Sequence, residues 1–226
     1  MKRTLIFSFL ISIVLFSCSK DEKAKGPSNE EILTKKIADI IPQKYLDTLK
    51  LLGLDIHQGV NPPNVEGSYK IAPHKLDTSN IVGDRPGTYF RDGLVSLSEQ
   101  STTDYSIKLI GKNFISYADT SIATAVSGSG NNFTVYGKVK ATIGTYSAVF
   151  ALIFTGTKEG QDLKNVRVAI INVDNSLGGT GIFIPEGTGR IGYDEDGTSP
   201  KVAEKALPES GGRSTFLYTL GHSGQQ

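Results

Sequence analysis

Two periodicities divide the chain. From Ile32 the apolar positions recur at helical spacing: Ile32, Leu33, Ile37, Ile40 and Ile41 fall mostly on one face, and Leu46, Leu49 and Leu52 continue the stripe. Ser28-Asn29-Glu30-Glu31 has the S-x-x-E form of a capping box, Pro42 suits the first turn of a second helix, and Gly53 suits a C-cap. The pattern predicts two short helices, about 29–41 and 43–52, packed against the β domain. Beyond Leu54 the period falls to two. Strand-like runs are expected at 67–72, 87–98, 103–111, 113–125, 132–143, 145–156, 165–174, 181–192 and 214–221, separated by turn chemistry such as Asp92-Gly93 and Asp196-Gly197. The clearest alternation sets Phe133, Val135, Val139, Ala141 and Ile143 against Thr134, Tyr136, Lys138, Lys140 and Thr142, the mark of a half-buried antiparallel strand. Tyr146 to Phe154 is apolar on both faces and reads as a central strand.

Eight or nine strands without intervening helices predict a mainly all-β chain. An antiparallel up-and-down barrel of about eight strands is favoured over a β-sandwich, because closure removes exposed edges. The expected organisation is 1–17 as a leader, 18–28 as a polar tether, 29–53 as the helical segment and 54–226 as the β domain.

Composition sharpens this picture in three ways. The 226 residues include 25 glycines and a single methionine, which fits many turns and little buried helix. The net charge of +1 includes Lys2 and Arg3 of the leader, so the remainder is close to neutral and gives no electrostatic reason to expect nucleic acid. The chain has one cysteine, Cys18, which rules out an internal disulfide and a thiolate metal cluster.

Leu5 to Phe16 is an apolar run broken only by Ser8 and Ser12. As a helix it would span roughly 18 Å, short of the ~30 Å hydrocarbon core, so it reads as the apolar region of a signal peptide. It ends in Leu15-Phe16-Ser17-Cys18, which resembles a bacterial lipobox. That resemblance implies a diacylglycerol on the Cys18 thiol, cleavage before Cys18 and an N-acyl chain on the new amine. It also implies the lipoprotein-processing and export machinery as partners. Each buried CH₂ contributes about 0.8 kcal/mol, so two or three chains hold what one would not. Ser19, Lys20, Asp21 and Glu22 resemble the acidic surface-export signal of Bacteroidota-type lipoproteins, which implies an outer-membrane protein displayed at the cell surface, with the periplasmic face as the alternative.

Three stretches, GVNPPNVEGSY at 59–69, GNNFTVY at 130–136 and GRIGYDEDG at 189–197, are similar to a group of uncharacterised Bacteroidota-type outer-membrane lipoproteins. The match implies address and architecture and brings no catalytic residue. Gly67-Ser68-Tyr69 also resembles the opening of lipocalin-like barrels, with Tyr69 where those carry Trp, and Thr103-Asp104-Tyr105 matches a second lipocalin signature in letters.

Candidate chemistry is sparse. Asp194 and Asp196 before Gly197 suggest part of a calcium loop, but Gly192 and Ala203 stand where further ligands would be needed, so a turn is expected. His57, His74 and His222 lack metal-ligand spacing, and neither a nucleophile elbow nor a phosphate loop occurs. No metal, no bound cofactor beyond the lipid and no catalysis are therefore expected. The sequence points to a non-catalytic envelope protein binding a small apolar ligand or glycan, with Tyr69, Tyr105, Phe133 and Tyr146 as candidate lining. A surface interaction module docking a protein or polysaccharide is the alternative, and an envelope hydrolase the least favoured.

Overall fold

The computed structural model describes residues 26–116, 118–177 and 181–203. Cys18, Ser19, Lys20, Asp21, Glu22, His222 and the strand expected at 214–221 lie outside the described residues.

Two helices open the described chain, α1 (Asn29–Ile40) and α2 (Gln43–Leu51). The capping box forms: Ser28 Oγ accepts from Glu31 N at 3.2 Å, and Ser28 N donates to Glu31 Oε2 at 2.7 Å. This satisfies two donors that a helix start otherwise leaves open. Ten strands come after them: β1 (Gly67–Ile71), β2 (His74–Ser79), β3 (Gly93–Ser98), β4 (Lys108–Lys112), β5 (Asp119–Ser129), β6 (Asn132–Ile143), β7 (Tyr146–Glu159), β8 (Asp162–Asp174), β9 (Gly189–Asp194) and β10 (Thr198–Ser199).

The pairing is antiparallel throughout, in the order β1-β3-β4-β5-β6-β7-β8-β9-β2. From β3 to β9 the chain is an up-and-down meander, and the sheet curls into a nearly closed barrel of nine strands. β1 and β2 are consecutive in sequence yet occupy opposite ends of this path, so the seam lies between them. Other segments cover both seam edges. Residues 87–90 pair along β2 through Phe90 N to His74 O (2.9 Å) and Leu76 N to Thr88 O (2.8 Å). β10 pairs with the lower part of β8, and the chain continues along β1 through Lys70 N to Pro200 O (3.2 Å) and Val202 N to Ser68 O (2.8 Å). Backbone groups that an open edge would leave bare are paired.

The barrel interior is a packed core. Tyr69, Phe90, Phe114, Phe133, Phe150 and Phe154 are all fully buried there, and Phe183 and Ile184 of the β8–β9 connection fold in as a plug. Phe114 stands edge-on to Phe154 at 5.0 Å, and Phe183 edge-on to Phe150 at 5.9 Å. Gly93 is the close-approach point: a Cβ there would lie 2.3 Å from the Phe114 ring. A second apolar layer forms outside, where Leu33, Ile40, Ile41, Leu46 and Leu49 of the helices cover Ala125, Tyr136, Ala151, Ile153 and Ile171 of the wall. Of the run Tyr146 to Phe154, the part from Ala148 onward is apolar on both faces because it is covered on both, while Tyr146 itself is exposed. This layer also corrects the expectation for β6, whose Thr134 and Tyr136 are buried beneath the crossing chain rather than wet.

Candidate functional site

Free volume sits outside the barrel, between the helical segment and the wall. After α2, residues 54–60 run back across β6 and β5. His57 N donates to Thr134 Oγ1 at 2.8 Å, Ser127 Oγ donates to His57 O at 2.6 Å, and Gly128 N donates to Gly59 O at 2.9 Å. Gly59 takes a φ of +119°, and a Cβ there would meet Gly128 O at 2.6 Å, so both the turn and the close approach call for glycine.

Between this crossing strap and α1–α2 lies a cleft of about 350 Å³. Its floor is buried Leu33, Ile41, Leu46 and Tyr136, its walls are half-buried Ile37, Ile56 and Val60, and exposed Glu30, Gln43, Lys50 and Gln58 stand at the rim. The volume is at the lower end of the range for small-molecule sites, and the apolar floor and walls lie under a polar rim. At the base the Tyr136 hydroxyl lies 3.3 Å from Ser127 Oγ. Burial pushes the Tyr136 phenol up to about 12, so at neutral pH it is a hydrogen-bonding group and not a base.

The four ring residues singled out in the sequence do not converge on this cleft. Tyr69 is buried in the barrel with its hydroxyl donating to Glu66 O at 3.2 Å, and burial pushes it up to about 12. Phe133 shares that core. Tyr105 belongs to the outer helix–wall layer, and Tyr146 is 45% exposed on the β6–β7 turn. Tyr136, which does line the cleft, is legible in the sequence only as one of the outward positions of β6. Its neighbours on α1 and α2 carry the periodicity of packing residues, which they also are.

The ionisable groups inside the barrel have structural partners. Arg190 points inward from β9 and meets Asp84 with both ends of its guanidinium, Nε to Oδ2 at 2.6 Å and Nη2 to Oδ1 at 2.8 Å. His74 packs against Phe90 and Phe114, its Nδ1 lies 3.4 Å from Arg91 O, and burial lowers it to about 4, so it is neutral at physiological pH. Asp119 accepts from Ile115 N, Ser116 N and Ser116 Oγ, and burial raises its pKa. Asp194 and Asp196 make a turn closed by Gly197 N to Asp194 O at 3.1 Å, and the Asp194 carboxylate accepts from Ser199 Oγ at 2.6 Å. Burial raises Asp194 to about 6. Among the described residues no three His, Cys, Asp or Glu side chains are grouped to hold a metal ion, and no helix is long and apolar enough to cross a membrane.

No family model, curated protein or solved structure matches the chain.

Proposed function

We propose that this protein is a non-catalytic cell-envelope lipoprotein, anchored in the outer membrane by lipid on Cys18 and displayed at the surface through Ser19–Glu22, and that the cleft under α1 and α2 receives a small apolar ligand. The observation that carries the ligand reading is the location of open apolar volume. The barrel centre is occupied by its own aromatic rings, whereas about 350 Å³ between strap, helices and wall is open, with mainly aliphatic side chains at its floor and walls. A slender apolar molecule would bury against Ile37, Ile56 and Val60, and its polar end, if any, would reach Gln58, Gln43 or Lys50. The Tyr136–Ser127 pair offers a hydrogen-bonding group at the base.

The test uses the uncharged fluorophore N-phenyl-1-naphthylamine with the full chain. Saturable one-site enhancement is expected. Ala38→Trp, which grows a ring into the cleft from an exposed lining position, should weaken it about tenfold, or ~1.4 kcal/mol, without lowering the melting temperature. Non-saturable enhancement, or affinity unchanged by both Ala38→Trp and Thr34→Trp, would refute the cleft. Labelling with radioactive palmitate, abolished by Cys18→Ala, tests the anchor separately.

One observation favours docking as a second reading. Tyr146, Leu177 and Ile182 leave 45%, 54% and 37% of their surfaces exposed, and Ser147 N donates to Leu177 O at 3.2 Å, which puts the first two side by side near the plugged mouth. Under that reading Tyr146→Ser with Leu177→Ser abolishes capture of a surface partner and leaves fluorophore binding intact.

A further inference from the structure

A second surface has recognition chemistry, and it lies on the outer face of β2, β9 and β8. Register fixes a lateral row there. Tyr89 bridges Lys75, Lys75 pairs with Tyr193, and Tyr193 pairs with Arg167. Directly paired residues point to the same face, so these four side chains stand abreast at roughly 4.8 Å intervals and cover about 14 Å. Two carboxylates complete the row. Glu195 accepts from Lys75 Nζ at 2.6 Å and from the Tyr89 hydroxyl at 2.9 Å, and Asp77 pairs with Arg167. Lys75 Nζ also lies 4.9 Å from the centre of the Tyr89 ring.

We propose that this row is a binding site for a neutral glycan. Three features carry the assignment. The charges balance, two cations against two carboxylates, each engaged with its neighbour, so the surface has nothing to offer an ionic ligand by attraction alone. The guanidinium, ammonium and carboxylates retain donors and acceptors beyond those they exchange, which suits a ligand presenting hydroxyls that both give and accept. The tyrosines supply flat apolar surface between the polar groups, where the C–H face of a sugar ring can rest. The Tyr89 hydroxyl is tied to Glu195 while 41% of the residue stays exposed, so the ring is oriented before a ligand arrives and little ordering cost remains. A row four side chains long matches a short oligosaccharide or a stretch of polymer better than a single sugar. The site is separate from the cleft and does not depend on it.

Affinity electrophoresis of the full chain through gels containing laminarin, galactomannan, xyloglucan or glycogen tests the assignment, with heparin and alginate as charged comparators. Retardation by at least one neutral polymer is expected. Tyr193→Ala and Tyr89→Ala should each reduce it about tenfold or more, while Ala38→Trp in the cleft leaves it unchanged. Tyr89→Phe keeps the ring, loses the tie to Glu195 and should fall between. Circular-dichroism melting of each variant separates lost binding from lost fold. No retardation by any neutral polymer would overturn the proposal, as would preference for the charged polymers or retardation that survives both alanine substitutions.

Discussion

Replacing Asp84 with alanine removes the carboxylate that faces a cation with no access to water. The Arg190 side chain is 0% exposed and that of Asp84 is 2%, inside a barrel whose other contents are largely aromatic and aliphatic. Breaking a buried ion pair from one side costs about 3–5 kcal/mol, because the remaining charge keeps its desolvation penalty and loses its main compensation. The contact between the guanidinium and the Phe90 ring, 5.8 Å to its centroid, persists and offsets only part of that loss. For a domain of this size a loss of 1 kcal/mol lowers the melting temperature by ~2–4 °C, so Asp84→Ala should melt about 6–20 °C below the parent. The double variant Asp84→Ala with Arg190→Met replaces the charge by an apolar chain of similar reach. It should recover most of the loss, with a coupling of about 2 kcal/mol or more in a urea-denaturation cycle. Lys36–Asp104, an exposed pair at 2.8 Å, is the comparison: Lys36→Ala should cost about 1 kcal/mol or less, and 1 M salt should erode its contribution but not that of Asp84. A cost below ~1 kcal/mol for Asp84→Ala, or strict additivity in the double variant, would refute the reasoning.

Burial sets two further outcomes. Asp194, raised to about 6, contributes stability that is full below the ordinary carboxylate range and is lost as pH rises through 6. His74, lowered to about 4, contributes stability that is full above its ordinary value near 6.5 and is lost as pH falls through 4. Urea midpoints of Asp194→Asn measured from pH 4 to 7 should therefore rise relative to the parent as pH increases, and a pH-independent difference would contradict this. Gly93→Ala drives a methyl into a Phe114 ring held by Phe154 and His74, and should cost about 1–3 kcal/mol in chemical denaturation. Phe114→Leu in the same chain should return part of that cost.

The helices and the long strands are legible in the sequence because their periodicity is carried by many residues at once. α1 and α2 start where the cap and Pro42 put them, and β6 spans the 132–143 that its alternation predicts. The short strands at the seam are not legible. β2 carries only His74 and Leu76 as inward positions, and its third rung is broken by a bulge between Leu76 and Thr78. β10 is two residues long, held by neighbours that no local pattern announces. The run expected at 181–192 splits in two. Phe183 and Ile184 are apolar because they plug the mouth, and only Gly189–Asp194 is strand. The expected strand at 87–98 splits likewise, into an edge cover at 87–90 and β3. Both candidate sites are assembled across elements distant in sequence. Tyr136 meets Ile37 and Ile56 only because the strap folds back, and Tyr89 meets Glu195 only because β2 pairs with β9 on one side and with the 87–90 segment on the other.

The seam also sets a schedule. One flank of the seam, β1, is made early, and residues 198–202, which cover its outer edge, are made more than half a chain length later. A polypeptide that emerges amino end first can zip hairpins from β3 to β9 as they appear, yet β1 lacks the latch along its outer edge until Lys201 arrives. The vessel is thus built with one flank uncovered, and the arrival of residues 198–202 is what locks it. A product ending before Thr198 would keep nearly every strand and still present a bare, adhesive flank to other chains.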